Sequence, residues 1–337
     1  PDGNIWYVDN MNYRLVKYNP TTNEILRTVG RLGDADGEFD SSIFNITRDN
    51  DGYLYVLASI GYVYKLDSNG GFMAKYDLRD LPDDMGMHDP WEITYDSFSD
   101  SILIANRNAD KIEKFSKNLI FINSFGEEGV GDKQFDGPSA ITTDTEGNIY
   151  VSDELNKRIQ VFNSNYDFIL DIHGPWDSEF AYVTGIVVLS DGTINATRED
   201  WDGINFGTVE QFESIHHDVP GEYIRTFGGN GLDIENMRFP KFLAKDGEDN
   251  IYVSDTSDVG LKSITKYDST GIFISTLRNN YFTEGKFYNP SSPIFDNEGN
   301  MYILDGNVET RRIQKFSSGG TYIATVIPTG VIGRAAY

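Results

Sequence analysis

His88, His173, His216 and His217 are the only imidazoles of a chain that has no cysteine, so a transition-metal site would have to rest on them and on carboxylates. Such sites need two or three imidazoles converging, each oriented by a further partner. No His-x-His or His-x-x-x-His spacing occurs. His88 and His173 fall in separate junctions, and His216-His217 sits in an enlarged hairpin between Phe212 and Tyr223. A zinc centre is therefore not expected. The lack of thiols excludes disulfides, cysteine nucleophiles and cysteine-ligated clusters. The run Asp34-Ala35-Asp36-Gly37-Glu38-Phe39-Asp40 has the composition of a calcium loop but not the twelve-residue ligand spacing of an EF-hand. It aligns with an ordinary junction, Gly131-Asp132-Lys133-Gln134-Phe135-Asp136. Solvated carboxylates are the plainer reading, and no cofactor is expected beyond a weakly held calcium ion.

Charged pairs recur at fixed places: Asp9 with Arg14, Asp153 with Arg158, and Asp305 with Arg312. A catalytic group is needed once, so repetition points to ion pairs that brace a turn. Two glycosylation sequons, Asn45-Ile46-Thr47 and Asn195-Ala196-Thr197, fall within predicted strands and are discounted, because glycan acceptors belong on accessible loops.

The elements that must position these residues are repeats. Gly147-Asn148-Ile149-Tyr150-Val151-Ser152-Asp153 has close relatives at Gly3–Asp9, Asn250–Asp255 and Gly299–Asp305, and weaker ones starting at Gly52, Ser101 and Gly192. The equivalent apolar positions Ile5, Leu54, Ile102, Ile149, Ile194, Ile251 and Met301 recur roughly every 45 to 57 residues, the period of propeller blades. A second alternating segment follows each copy, as in Arg158-Ile159-Gln160-Val161-Phe162, then a glycine-bearing turn and a third segment such as Phe168-Ile169-Leu170. A glycine-rich junction leads to one more strand, Ala140-Ile141-Thr142-Thr143-Asp144, directly before the next copy. This predicts an all-β chain, a single β-propeller over 1–337 built of four-stranded antiparallel blades, seven in number with six as the alternative.

The segment from Phe125 to Phe162 carries a glycine-rich junction, Gln-Phe-x-x-Pro, Asp-x-x-Gly-Asn, Tyr-Val-x-Asp and Asn-x-Arg-Ile-Gln-Val-Phe in succession. In this it resembles the NHL-repeat family, and the resemblance extends over essentially the whole chain, degenerate at Gly52–Leu66 and Gly192–Phe212. The first copy opens at its turn, so its innermost strand is expected from the segment 329–337, closing the ring and removing two sheet edges. The same tail could instead complete a neighbouring molecule and yield head-to-tail polymers, or the strand could come from upstream sequence of a longer protein.

In a propeller the innermost strands line the axial channel. Alignment with Ala140 nominates Asn45 and Glu92 there, and the longest departure from the repeat, Arg198–Gly221, nominates the loop residues Trp201, His216 and His217. Lys and Arg number 28 against 53 acidic residues, a formal net charge of -25, which repels phosphate backbones and argues against nucleic acid as a partner. No apolar run reaches the roughly 18 residues a membrane helix needs, and no basic-then-apolar leader stands at Pro1. The expected role is a non-enzymatic, extracytoplasmic module for binding or assembly, extracellular or at a cell surface of prokaryotic or viral origin. Its partner would be a protein, a glycan or a further copy of itself. The alternative implied by the family resemblance is a metal-dependent lyase or lactonase-type hydrolase with its site in the channel, although the ligand sets of such enzymes are not seen here.

Overall fold

The computed structural model describes residues 3–9, 12–22, 24–81, 89–174, 181–200, 207–229, 237, 239–256, 262–278, 284–296, 298–306 and 312–325. Within them the chain forms seven antiparallel sheets in succession. The first runs from Ile5–Asp9 to Glu24–Val29 and has three strands. The other six have four: Ile43–Arg48 to Phe72–Asp77, Pro90–Asp96 to Phe121–Phe125, Pro138–Thr143 to Phe168–Ile172, Ala181–Val188 to Tyr223–Phe227, Pro240–Lys245 to Phe273–Arg278, and Ile294–Phe295 to Tyr322–Thr325. Every sheet keeps its strands in chain order, so each is a meander of hairpins. The fold is all-β, a β-propeller of seven blades rather than six. The segment 329–337, expected to complete the first blade, lies outside the described residues.

Two compact units hold these blades, residues 1–172 with the first four and residues 173–337 with the last three. In the first unit, Ile43–Arg48 lies beside Pro90–Asp96, which lies beside Pro138–Thr143, so inner strand follows inner strand. In the second, Ala181–Val188 lies beside Pro240–Lys245.

The middle strands make the core because blades cover both their faces. Ile149–Asp153 and Arg158–Phe162 are buried at every position. A buried Val, Ile or Phe contributes about 1.5–3 kcal/mol. The polar face that alternation marks in Arg158-Ile159-Gln160 is not a wet one: Arg158 is 4% exposed and Gln160 0%. Arg158 Nε donates to Asp153 at 2.8 Å, and its Nη2 donates to the carbonyls of Gly131 and Gln134. Gln160 Oε1 accepts from Lys133 N, and Asp153 Oδ1 accepts from Asp136 N. The pair thus staples the preceding junction onto the middle strands. The seventh blade repeats the device, with Arg312 on Asp305, Gln314 on the Lys286 carbonyl, and Asp305 accepting from Tyr288 N. Asp9 and Arg14 pair at 2.7 Å in the first blade.

The opposite ends of the strands turn through a second repeated device. Asp144 Oδ1 accepts from the backbone of Glu146 and Asn148, while Tyr150 donates its hydroxyl to Oδ2 at 3.0 Å. Gly147 supplies the φ of +82° the turn demands. Asp246 with Tyr252 and Asp296 with Tyr302 reproduce it. Burial alone would raise the pKa of Asp246 and Asp296, but hydrogen bonds from Asn250 and Asn300 outweigh it and hold both below the usual carboxylate range.

Candidate functional site

The inner strands carry a recurring irregularity. The pairing register shifts between Ile43 and Asn45, between Pro90 and Glu92, between Pro138 and Ile141, between Val183 and Gly185, and between Pro240 and Phe242. Each shift is a β-bulge, which takes an extra residue out of the ladder and re-aims side chains at the start of the strand. In the second and third blades the extra residues are Phe44 and Trp91. Both rings stand in solvent, 47% and 41% exposed, with their centroids 6.4 Å apart. Arg107, at the turn after Ser101–Asn106, lays its guanidinium 5.4 Å from the Trp91 ring and is held there by Glu154 at 3.1 Å.

Asn45 and Glu92 follow directly, at equivalent positions on neighbouring strands: Asn45 pairs with Leu57, and Glu92 with Ala105. Both are half-buried. Asn45 Oδ1 accepts from Ile46 N at 2.7 Å. Glu92 reaches across to the fourth blade, where the bulge has freed an N–H, and its Oε2 accepts from Ile141 N at 3.0 Å. Hemmed in by protein, its carboxyl is pushed by burial up to about 7, the hydrogen bond from Ile141 pulling the other way. Near neutral pH this group exchanges its proton readily and can donate as well as accept.

The structure therefore brings Asn45 and Glu92 together and sets two aromatic faces beside them. Phe44 and Trp91 were not singled out from the sequence. The signal was an aromatic ring at the position of Ser139, between a buried Ile43 or Pro90 and the polar residue that follows. His216 and His217 lie in the second unit, on the exposed turn between Thr208–Phe212 and Tyr223–Phe227. His217 Nε2 stands 3.9 Å from Glu213, and its Nδ1 accepts from Val219 N. His173 is exposed, whereas Trp201 and His88 lie outside the described residues. Among the described residues no three His, Asp or Glu side chains converge as metal ligands would. In the run 34–40, Glu38 is engaged by Arg31, and Asp40 by Lys75. Asn195, the second sequon, is fully buried.

Taken together, the arc of Phe44, Asn45, Trp91 and Glu92 offers stacking surfaces next to an amide and a titratable carboxyl, the makings of a binding surface.

The NHL repeat family profile matches residues 135–162, the junction and first three strands of the fourth blade. The curated NHL repeat-containing protein 3 of Homo sapiens and that of Mus musculus are each 34% identical to this chain over 71 residues, 21% of this chain. The match spans one fifth (20%) of those relatives' own length. Among solved structures, a catalytically inactive virginiamycin B lyase from Staphylococcus aureus with quinupristin superposes with a TM-score of 0.65 at 14% identity, covering 90% of this chain and 88% of the other. A functionally unknown protein from Desulfotomaculum acetoxidans does so with a TM-score of 0.65 at 12% identity, covering 97% and 96%. Likeness at that identity is likeness of fold. With seven antiparallel meanders in succession and a match to the NHL repeat in the fourth, the chain is a seven-bladed β-propeller that carries an NHL repeat at residues 135–162.

Proposed function

We propose that this propeller is a non-enzymatic, extracytoplasmic binding module that docks a protein or glycan partner on the arc formed by Phe44, Asn45, Trp91 and Glu92. One observation carries the reading: two large aromatic rings stand in solvent on adjacent strands, with half-buried polar groups at their base. Aromatic anchors of this kind dominate contact energetics because they bury much surface at little entropic cost. The acidic composition suits a soluble protein of the cell exterior. Assembly with further copies through the segment 329–337 is the second part of the proposal, supported by the first sheet, which has three strands among the described residues.

Probing a glycan array and immobilised cell-surface protein with the wild-type chain and with F44A and W91A tests the reading. Binding that falls at least tenfold in both variants supports it, at a cost of about 1.4 kcal/mol or more. Binding that survives both substitutions overturns it. The likeness to a virginiamycin B lyase favours an enzymatic second reading, metal-dependent and sited in the channel. Loss of quinupristin on incubation with the purified chain, followed by mass spectrometry, would establish that reading instead.

A further inference from the structure

The fifth blade departs from the stapling device at three positions at once. Where the fourth blade has Asp153, Arg158 and Gln160, the fifth has Arg198, Thr208 and Glu210 in the same register. The charges are reversed, and a long arginine has become a threonine. Glu210 is fully buried and now sits where Gln160 sat. It accepts from Thr208 Oγ1 at 2.8 Å and from Thr226 Oγ1, and Arg198 Nη1 stands 4.0 Å away.

Beside Thr208 a cleft of about 360 Å³ opens between the fifth and sixth blades. Thr208, Thr226, Phe227, Gly228, Tyr267 and Phe273 are among the residues that line it. The rings are in contact, Phe227 with Tyr267 at 4.7 Å and Tyr267 with Phe273 at 6.2 Å. Gly228 has φ +76°, and a Cβ there would lie 2.3 Å from Met237 Cε and 2.7 Å from the Tyr267 hydroxyl, so only glycine fits against them. The volume falls at the lower end of the range for small-ligand sites.

We infer that this cleft is a binding site for a single neutral sugar residue, or a ligand of the same hydroxyl-rich chemistry. The charge of Glu210 is compensated from within by Arg198 and two hydroxyls, so the ligand meets no net charge. Each threonine gives its proton to Glu210 and keeps oxygen lone pairs that accept from a ligand hydroxyl. Phe273, half-buried at the edge of the cleft, suits the apolar face of a pyranose ring, whereas Phe227 and Tyr267 are buried and serve to hold it in place. Among the described residues that line it, a cation would find no open carboxylate, and an anion no exposed donor cluster.

Ligand-observed NMR with glucose, galactose, mannose and N-acetylglucosamine tests this, with methylamine and sulfate as charged controls. Saturable binding of at least one sugar in the millimolar range is expected, weakened about tenfold or more by Thr208→Met, which fills the cleft without adding charge. Thr226→Val, which removes one acceptor from the rim, provides the same readout should Thr208→Met fail to fold. No sugar binding, unchanged binding in the folded variants, or preference for methylamine or sulfate would each overturn the inference.

Discussion

Replacing Glu92 with Gln tests the electrostatics of the inner-strand site without altering its shape. The folded chain holds the Glu92 proton up to about pH 7, whereas the unfolded chain releases it near the ordinary 4.5. Between those values the folded state binds more protons than the unfolded one, so this group makes stability fall as pH rises. Each pH unit of displacement corresponds to about 1.4 kcal/mol, so the full effect approaches about 3 kcal/mol above pH 7. Gln keeps the oxygen that accepts from Ile141 N and cannot ionise. The variant is therefore expected to match the wild type at pH 4.5 and to exceed it by up to about 3 kcal/mol at pH 8. For a chain of 337 residues, an unfolding entropy of about 0.7 kcal/mol/K makes this a gain of about 4 °C in Tm. Calorimetric or circular-dichroism melts of both proteins from pH 4.5 to 8.5 measure the difference directly. A gap that stays constant across pH, or one that widens toward acid, would refute the account of a carboxyl held neutral by burial.

Two further substitutions probe the repeated devices. Arg158→Ala strands Asp153, 0% exposed, without its cation, and is expected to cost about 3–5 kcal/mol in urea unfolding; a loss below about 1 kcal/mol would show that the staple carries little energy. Gly126→Ala forces a φ of +107° on a residue whose Cβ would lie 2.6 Å from the Asp110 carbonyl oxygen, and should destabilise by about 2 kcal/mol or more in the same assay, unless the junction can shift to make room.

The repeat, the blade count and the structural role of the aspartate–arginine pairs were legible because each is written several times over. A motif such as Asp-x-x-Gly-Asn-x-Tyr is a local rule, and its hydrogen bonds join residues only 2 to 6 positions apart. The equivalent strand positions of Asn45 and Glu92 were legible by the same alignment. Phe44 and Trp91 were not, because alternation assigns faces by parity and a bulge breaks parity at the position where these rings emerge. The Thr208 cleft escaped for a different reason. Its walls come from residues as far apart as Thr208 and Phe273. The sequence marked the fifth blade as divergent, but pointed to the histidine turn rather than to the reversed charges within the strands.

Because each of the six four-stranded blades is an uninterrupted stretch of chain, its hairpins close over short loops, and most of its hydrogen-bond partners leave the ribosome within seconds of one another. A nascent blade can acquire its ladder early but has nothing to lean on until the next arrives. Co-translational quality control would then meet a blade with one dry flank turned to water, and the most vulnerable interval in this protein's life falls before synthesis has ended.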